Sequence, residues 1–278
     1  MTIVVGLMLL NWTFESLKWR YLSAHLVKIT TWEAIEAVFC GLSWAIFTPN
    51  RLGEYAGRVL FLPSRKRIHG VFAMAVGSFG QNVITNVLGL CSLMWFLYIF
   101  HVEASTHNLH LNTWLYLLFV AGAIFFMGFI IIFYFHIIWL VNILDKIPYI
   151  RNYHRFFDIM AGYKKAELIK IMGFSLARYA VFSFQYYLVI HLMLPKLPVF
   201  EMMMLVFILF FIQSALPSLD LFDFGVRSVT ASTLFLYITN QPVAIIAAVT
   251  SIWLINLIIP AILGSVFVFK LNLFDRNL

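Results

Sequence analysis

Between Ser228 and Phe269 the chain runs for 42 residues without one Asp, Glu, Lys or Arg. Residues 71–100 and 113–141 are charge-free as well. Each of these two runs is about 30 residues, or roughly 45 Å of helix, enough to cross a hydrocarbon core and its headgroup layers with some tilt. A chain that folds in water needs polar surface to cover its core. Here 63% of residues are hydrophobic and 11% are charged, against about a quarter charged in ordinary soluble domains. A bilayer removes the difficulty, because lipid-facing residues should be apolar and a helix satisfies its own backbone. The expected fold class is all-α, a polytopic integral membrane protein forming one transmembrane domain over 1–278.

The spans follow from the same pattern. Forty-two residues are too many for one crossing, and Asn240-Gln241-Pro242 supplies the break, leaving a short segment 228–240 and a full span 243–269. Residues 71–100, 113–141 and 171–194 are further spans, the last interrupted by Arg178. Residues 1–18 read as a partial span. Ala37–Asn50 and Met202–Leu216 are apolar but hold only 14–15 residues, the length of re-entrant or broken helices. They define two hairpins, 33–62 and 201–240.

Loop charge sets the orientation. Loops 15–32, 50–69 and 142–170 and the C-terminal tail carry 16 of the 19 Lys and Arg residues. Loop 101–112 has Glu103 and no basic residue. Basic loops stay cytoplasmic, so these loops and the C-terminus belong inside, in a cytoplasmic (inner) membrane. The net charge of +7 is then an anchoring and anionic-headgroup feature, and nucleic acid is not an expected partner. If loops 15–32 and 50–69 are both inside, the first hairpin enters and leaves on the cytoplasmic face. The second, by the same count, dips in from outside.

The two hairpins echo each other. Pro49 is followed eight residues later by Gly57 and then Arg58; Pro217 is followed eight residues later by Gly225 and then, after Val226, Arg227. Proline breaks a helix and glycine tolerates tight geometry. Paired interrupted segments in two halves point to a transporter-type site and a possible inverted repeat, and broken helices offer free N–H groups to a phosphate or carboxylate. Chance is the competing account of a pattern this short.

Several segments resemble the lysylphosphatidylglycerol synthase transmembrane-region family, also called flippase-like. They are Asn11…Glu15-Ser16-Leu17-Lys18-Trp19-Arg20-Tyr21-Leu22, Thr48-Pro49-Asn50-Arg51-Leu52-Gly53-Glu54-Tyr55-Ala56-Gly57-Arg58, and Leu216-Pro217…Gly225-Val226-Arg227. The resemblance places Met1 inside the family's second helix. Where the family often has Glu-Arg…Asp after the first hairpin, this chain has Gln81-Asn82…Thr85-Asn86; where it often has Glu after the second Arg, Ser228 stands. The resemblance implies translocation of a lipid or lipid-linked substrate. The soluble aminoacyl-transferase domain of full-length synthases is not in this sequence, so lysine transfer is not assigned to the chain.

The candidate binding residues are Arg51, Glu54, Arg58, Gln81, Asn82, Asn86, Arg178, Gln213, Asp220, Asp223 and Arg227. Arg51 and Arg58 would grip a phosphate bidentately, or else anchor a solvated loop. Ser78, Gln81, Asn82, Thr85, Asn86 and Gly89 form a polar face on an apolar span, either a headgroup wall or a helix-packing seam. Arg178 within a span needs a partner or snorkels to the interface. Gln213, Asp220, Asp223 and Arg227 make a charged gate or a self-paired external turn. His101, His107 and His110 read as an ordinary polar loop rather than a metal site. Gly41-Leu42-Ser43-Trp44 reads as helix packing rather than a serine nucleophile, for want of a positioned base. Cys40 and Cys91 make no disulfide framework. Trp19, Trp32, Trp114 and Trp139 fall near helix ends as an interfacial belt would.

The leading expectation is a membrane transporter for an anionic lipid or lipid-linked headgroup, with no cofactor, no metal and no catalytic residue. The alternatives are a membrane-embedded glycosyl- or phosphotransferase using a lipid-phosphate donor, and a scaffold for a separate lipid-modifying enzyme.

Overall fold

A computed structural model describes residues 2–48, 51–106, 113–147, 154–216 and 220–270. Among these the chain is all-α, with no strand. The helices are α1 (Thr2–Ser23), α2 (Thr31–Ala45), α3 (Leu52–Val59), α4 (Arg67–Thr106), α5 (Thr113–Phe135) and α6 (Ile138–Asp145). Then come α7 (His154–Ala161), α8 (Lys165–Met193), α9 (Val199–Ala215), α10 (Asp220–Phe235), α11 (Pro242–Trp253) and α12 (Ile259–Lys270), with a π turn over Leu254–Ile258 joining the last two. Three stretches, Ser64–Phe100, Thr113–Phe135 and Pro242–Val268, are long and apolar enough to cross a membrane. α5 buries only Ala123, Ile130 and Tyr134, which suits a helix with lipid on most sides. The fold fits insertion in a membrane.

Local chemistry sets several helix ends. Thr30 and Glu33 form a reciprocal cap at the start of α2, with the Glu33 amide donating to Thr30 Oγ1 at 3.2 Å and the Thr30 amide to Glu33 Oε2 at 2.7 Å. That arrangement satisfies two amides the helix cannot pair itself. Pro242 opens α11, where its missing N–H costs nothing.

The π turn has a cause in sequence. Pro260 carries no amide hydrogen, and its ring crowds the carbonyl four residues back. That carbonyl belongs to Asn256, and it accepts instead from Trp12 Nε1 at 3.2 Å. The helix widens at that point, which is how a π turn arises within an α-helix.

Contacts at the two ends of the bundle fix how the helices run. At one end, Arg20 donates to Thr31 Oγ1 at 2.8 Å, Lys66 to the Leu26 carbonyl at 2.5 Å and Tyr163 to the Leu22 carbonyl at 2.8 Å. His25 lies 2.9 Å from Glu167 there, and Phe267 packs on Trp32. At the other end Trp95 packs on Phe200 and Phe96 on Tyr237. The pair α2–α3 therefore starts and finishes at the first end, and α9–α10 at the second. α2 holds 15 residues and α9 holds 17, about 22 and 26 Å, against 29 residues for α8.

Close backbone packing holds the first pair in place. Gly57 lies against Gly41, and a Cβ on either would meet main chain. Gly264 of α12 sits against the Phe39 carbonyl of α2, where a Cβ would overlap it. Ser43 donates to the Ala261 carbonyl at 2.7 Å and lies 3.3 Å from that of Phe39, so this hydroxyl is engaged in helix packing.

Three expectations change. The stretch 15–32 is not all loop: α1 continues to Ser23, and Glu15 and Lys18 are buried within it. Their charges neutralise each other, so the helix need not end where charge begins. Trp19 is fully buried rather than interfacial, whereas Trp32, Trp114 and Trp139 are exposed. α5 and α6 are separate helices, with His136 and Ile137 in the turn between them.

Candidate functional site

Glu15 is the centre of a buried charge network. Its Oε1 accepts from Arg58 Nη1 at 2.7 Å; its Oε2 accepts from Arg178 Nη1 at 2.7 Å and lies 2.7 Å from Lys18 Nζ. Arg178 also donates to Asn11 Oδ1 at 3.1 Å and lies over the Trp12 ring at 4.8 Å. Arg58 reaches Glu54 as well, and Arg51 lies 3.2 Å from the same carboxylate. Three helices meet through these bonds: α1 supplies Glu15 and Lys18, α3 supplies Glu54 and Arg58, and α8 supplies Arg178. Isolated charges in such a place would be very costly, and mutual pairing with further hydrogen bonds offsets that cost.

Arg51 has the one left-handed backbone among the described non-glycine residues, φ 59°. It stands at the N-terminus of α3. That conformation costs an L residue about 1–3 kcal/mol. The turn thus presents a charged side chain at a backbone position where glycine would be easier.

A cavity of about 630 Å³ opens beside this network. Its walls include Glu15 and Lys18 of α1, Arg51, Glu54 and Arg58 at the tip and return arm of the first helix pair, Gln81 and Asn82 of α4, and Arg178 of α8. From the second pair come Gln213, Ser214 and Arg227. Arg227 donates to Gln213 Oε1 at 3.1 Å. A second cavity of about 280 Å³ adjoins it and shares Arg51, Gln81, Arg178, Gln213, Ser214 and Arg227. Aromatic rings of α8 and α9 dominate its far wall, with Phe182 stacked on Phe210 at 5.1 Å and Tyr186 edge-on to Phe210 at 4.9 Å.

Eight of the sequence-derived candidates thus line one chamber: Arg51, Glu54, Arg58, Gln81, Asn82, Arg178, Gln213 and Arg227. Asn86 does not line either cavity, and its amide donates to the Asn82 carbonyl of its own helix at 2.7 Å. Asp220 and Asp223 fall in the first turns of α10, and their side chains lie outside the described residues, as do Pro49, Pro217, His107 and His110. The sequence reading passed over Glu15, Lys18 and Asn11 as site residues. The available signal was the spacing Asn11, Glu15, Lys18, one face of a helix at i, i+4, i+7. Asn256, in the π turn, was also missed; Pro260 four residues on was the clue.

Among the described residues no group of three or more His, Cys, Asp or Glu could hold a metal ion. No family model, curated protein or solved structure matches the chain.

Proposed function

We propose that the chain moves an anionic lipid or lipid-linked headgroup across a membrane. One observation carries this: the described walls of the larger cavity hold five cationic side chains, Lys18, Arg51, Arg58, Arg178 and Arg227, against two carboxylates, Glu15 and Glu54. A chamber lined by this many charged side chains among apolar helices is expensive and therefore functional by default, and guanidinium forks match phosphate oxygens. Arg58, Arg178 and Lys18 are held by Glu15. Arg51 and Arg227 come from the two opposed helix pairs, and they are the residues placed to grip and release a ligand.

On this reading the two short pairs are re-entrant hairpins entering from opposite leaflets, related as an inverted repeat, and alternating exposure follows from rocking one against the other. The segments that resemble the flippase-like family, around Arg51 and before Arg227, border this chamber, which supports membership in that family. The membrane is a cytoplasmic one with the basic end of the bundle inside, and a lipid-modifying enzyme is a reasonable partner for such a carrier.

Reconstitution tests the proposal. Purified protein in liposomes should speed translocation of a fluorescent anionic phospholipid, read by its quenching with an impermeant reductant. Arg51→Ala and Arg227→Ala should each slow it about tenfold, and a zwitterionic analogue should move poorly. A wild-type rate equal to that of protein-free vesicles, across anionic lipids, would refute the assignment.

A further inference from the structure

The larger chamber occupies space that α9 leaves by stopping part-way along α4. Trp95 of α4 packs on Phe200 near the start of α9, and further in a Cβ on Gly89 would overlap the Phe211 side chain. The two helices therefore run antiparallel and in close contact. α9 then ends at Leu216, whose backbone is extended at φ −93° and ψ 115°. α4 continues toward the charged end of the bundle. Asn82 and Ser78 lie on the same face of α4 as Gly89, one and two further steps along it, and they line the chamber.

The exposure of the walls shows which way the chamber opens. Toward the charged end it is closed by Leu22 and Met74, 2% and 4% exposed. Glu15, Lys18 and Arg58 close it toward α1 and α3, and all three are buried. Toward the opposite end the adjoining smaller cavity is backed by buried Tyr186, Phe210 and Ile252. Among the described walls, the exposed residues are Asn82 of α4 and Ser214, Ala215 and Leu216 at the end of α9.

These rim residues sit at mid-depth. Asn82 is 15 residues from Arg67 at the start of α4, about 22 Å from the charged end. Ser214 is 14 residues on from Phe200, about 21 Å from the opposite end. Both depths fall near the middle of a hydrocarbon core about 30 Å thick. An opening there faces lipid chains, where an amide and a hydroxyl are costly unless polar groups meet them.

We infer that the chamber opens sideways into the bilayer, between the middle of α4 and the end of α9, and that its ligand is a lipid drawn in headgroup first with its hydrocarbon left in the membrane. The inference rests on the anionic-headgroup reading above and adds the route. Asn82 and Ser214 meet the headgroup as it passes, Ala215 and Leu216 border the chain outside, and Arg51 and Arg227 take the phosphate within.

Two measurements on the full chain in liposomes test this, in a background with Cys40 and Cys91 replaced by Ser. A small fluorophore on Asn82→Cys or Ser214→Cys should be quenched most by phospholipid carrying a nitroxide deep in its chain, and least by aqueous iodide. Attaching a bulky maleimide at either position should slow translocation of a fluorescent anionic phospholipid about tenfold. The same reagent on Gly122→Cys, where nothing of the protein lies within 4 Å of a built Cβ, should leave the rate unchanged. Anionic lipids with longer and shorter chains should move at similar rates, and free glycerol phosphate should stay where it was loaded.

Stronger quenching by iodide than by the nitroxide lipid overturns the sideways mouth. So does an unchanged rate after modification at both rim positions. Glycerol phosphate crossing as fast as the lipid overturns the lipid ligand. Deep-nitroxide quenching in a protein whose wild type moves no anionic lipid refutes the transport reading and leaves the opening itself in place.

Discussion

Glu15 holds three helices to one another because a single carboxylate answers Lys18, Arg58 and Arg178. Its loss would leave three cations facing a neutral group in an apolar interior. Breaking a buried pair from one side costs about 3–5 kcal/mol, so Glu15→Gln should lower the melting temperature and the yield of folded protein in detergent. Replacing Arg178 with Gln in the same chain removes one stranded charge and should restore part of the loss. A double variant no more stable than Glu15→Gln alone would show that Arg178 is not coupled to Glu15. This network was only half visible in sequence. Arg58 read as a phosphate ligand or a loop anchor and Arg178 as a cation within a span that needs a partner, but Glu15 and Lys18 read as the start of a basic loop. A pattern that counts charges along the chain treats a neutralised cluster and a solvated loop alike; only the positions of α3 and α8 distinguish them.

At the scale of helices, backbone contact does what side-chain interlocking does in water-soluble cores. Lipid is as apolar as leucine, so membrane helices gain from close approach through small residues. Gly264→Ala would push α12 off the Phe39 carbonyl of α2 and should destabilise by about 1–3 kcal/mol. Gly122 has nothing within 4 Å of a built Cβ. Gly122→Ala should therefore be neutral or stabilise by up to about 1 kcal/mol, through helix propensity alone. Thermal melting of the two variants side by side checks the contrast, and equal behaviour would mean that α2 and α12 do not pack as described. The long helices were legible because a charge-free run has few other ways to fold. The π turn was not, because Pro260 alone does not say whether a helix kinks, breaks or widens. The contact that decides it, from Trp12 to the freed Asn256 carbonyl, comes from 244 residues away in sequence.

Among the described residues the bundle has one strongly charged end and one end with few charges, and this gives its placement in the bilayer a test. His25, Lys66 and Glu167 gather at one end, together with Arg65, Arg67, Lys164 and Lys165 in neighbouring positions of the sequence. α8 runs from there for 29 residues, about 43 Å, so Lys196 just beyond it belongs to the opposite side. Both Lys66 and Lys196 are exposed, and exchanging either for Cys should disturb little. In a background with Cys40 and Cys91 replaced by Ser, a membrane-impermeant maleimide should label Lys66→Cys in inside-out vesicles but not in intact spheroplasts. Lys196→Cys should behave in the opposite way. Labelling from the same side would contradict the crossing of α8, and with it the idea that the two helix pairs approach from opposing leaflets. A clean exchange of the two patterns would keep the helix arrangement and invert the orientation. Arg51 and Arg227 would then still share a chamber, and only the face from which each hairpin enters would change.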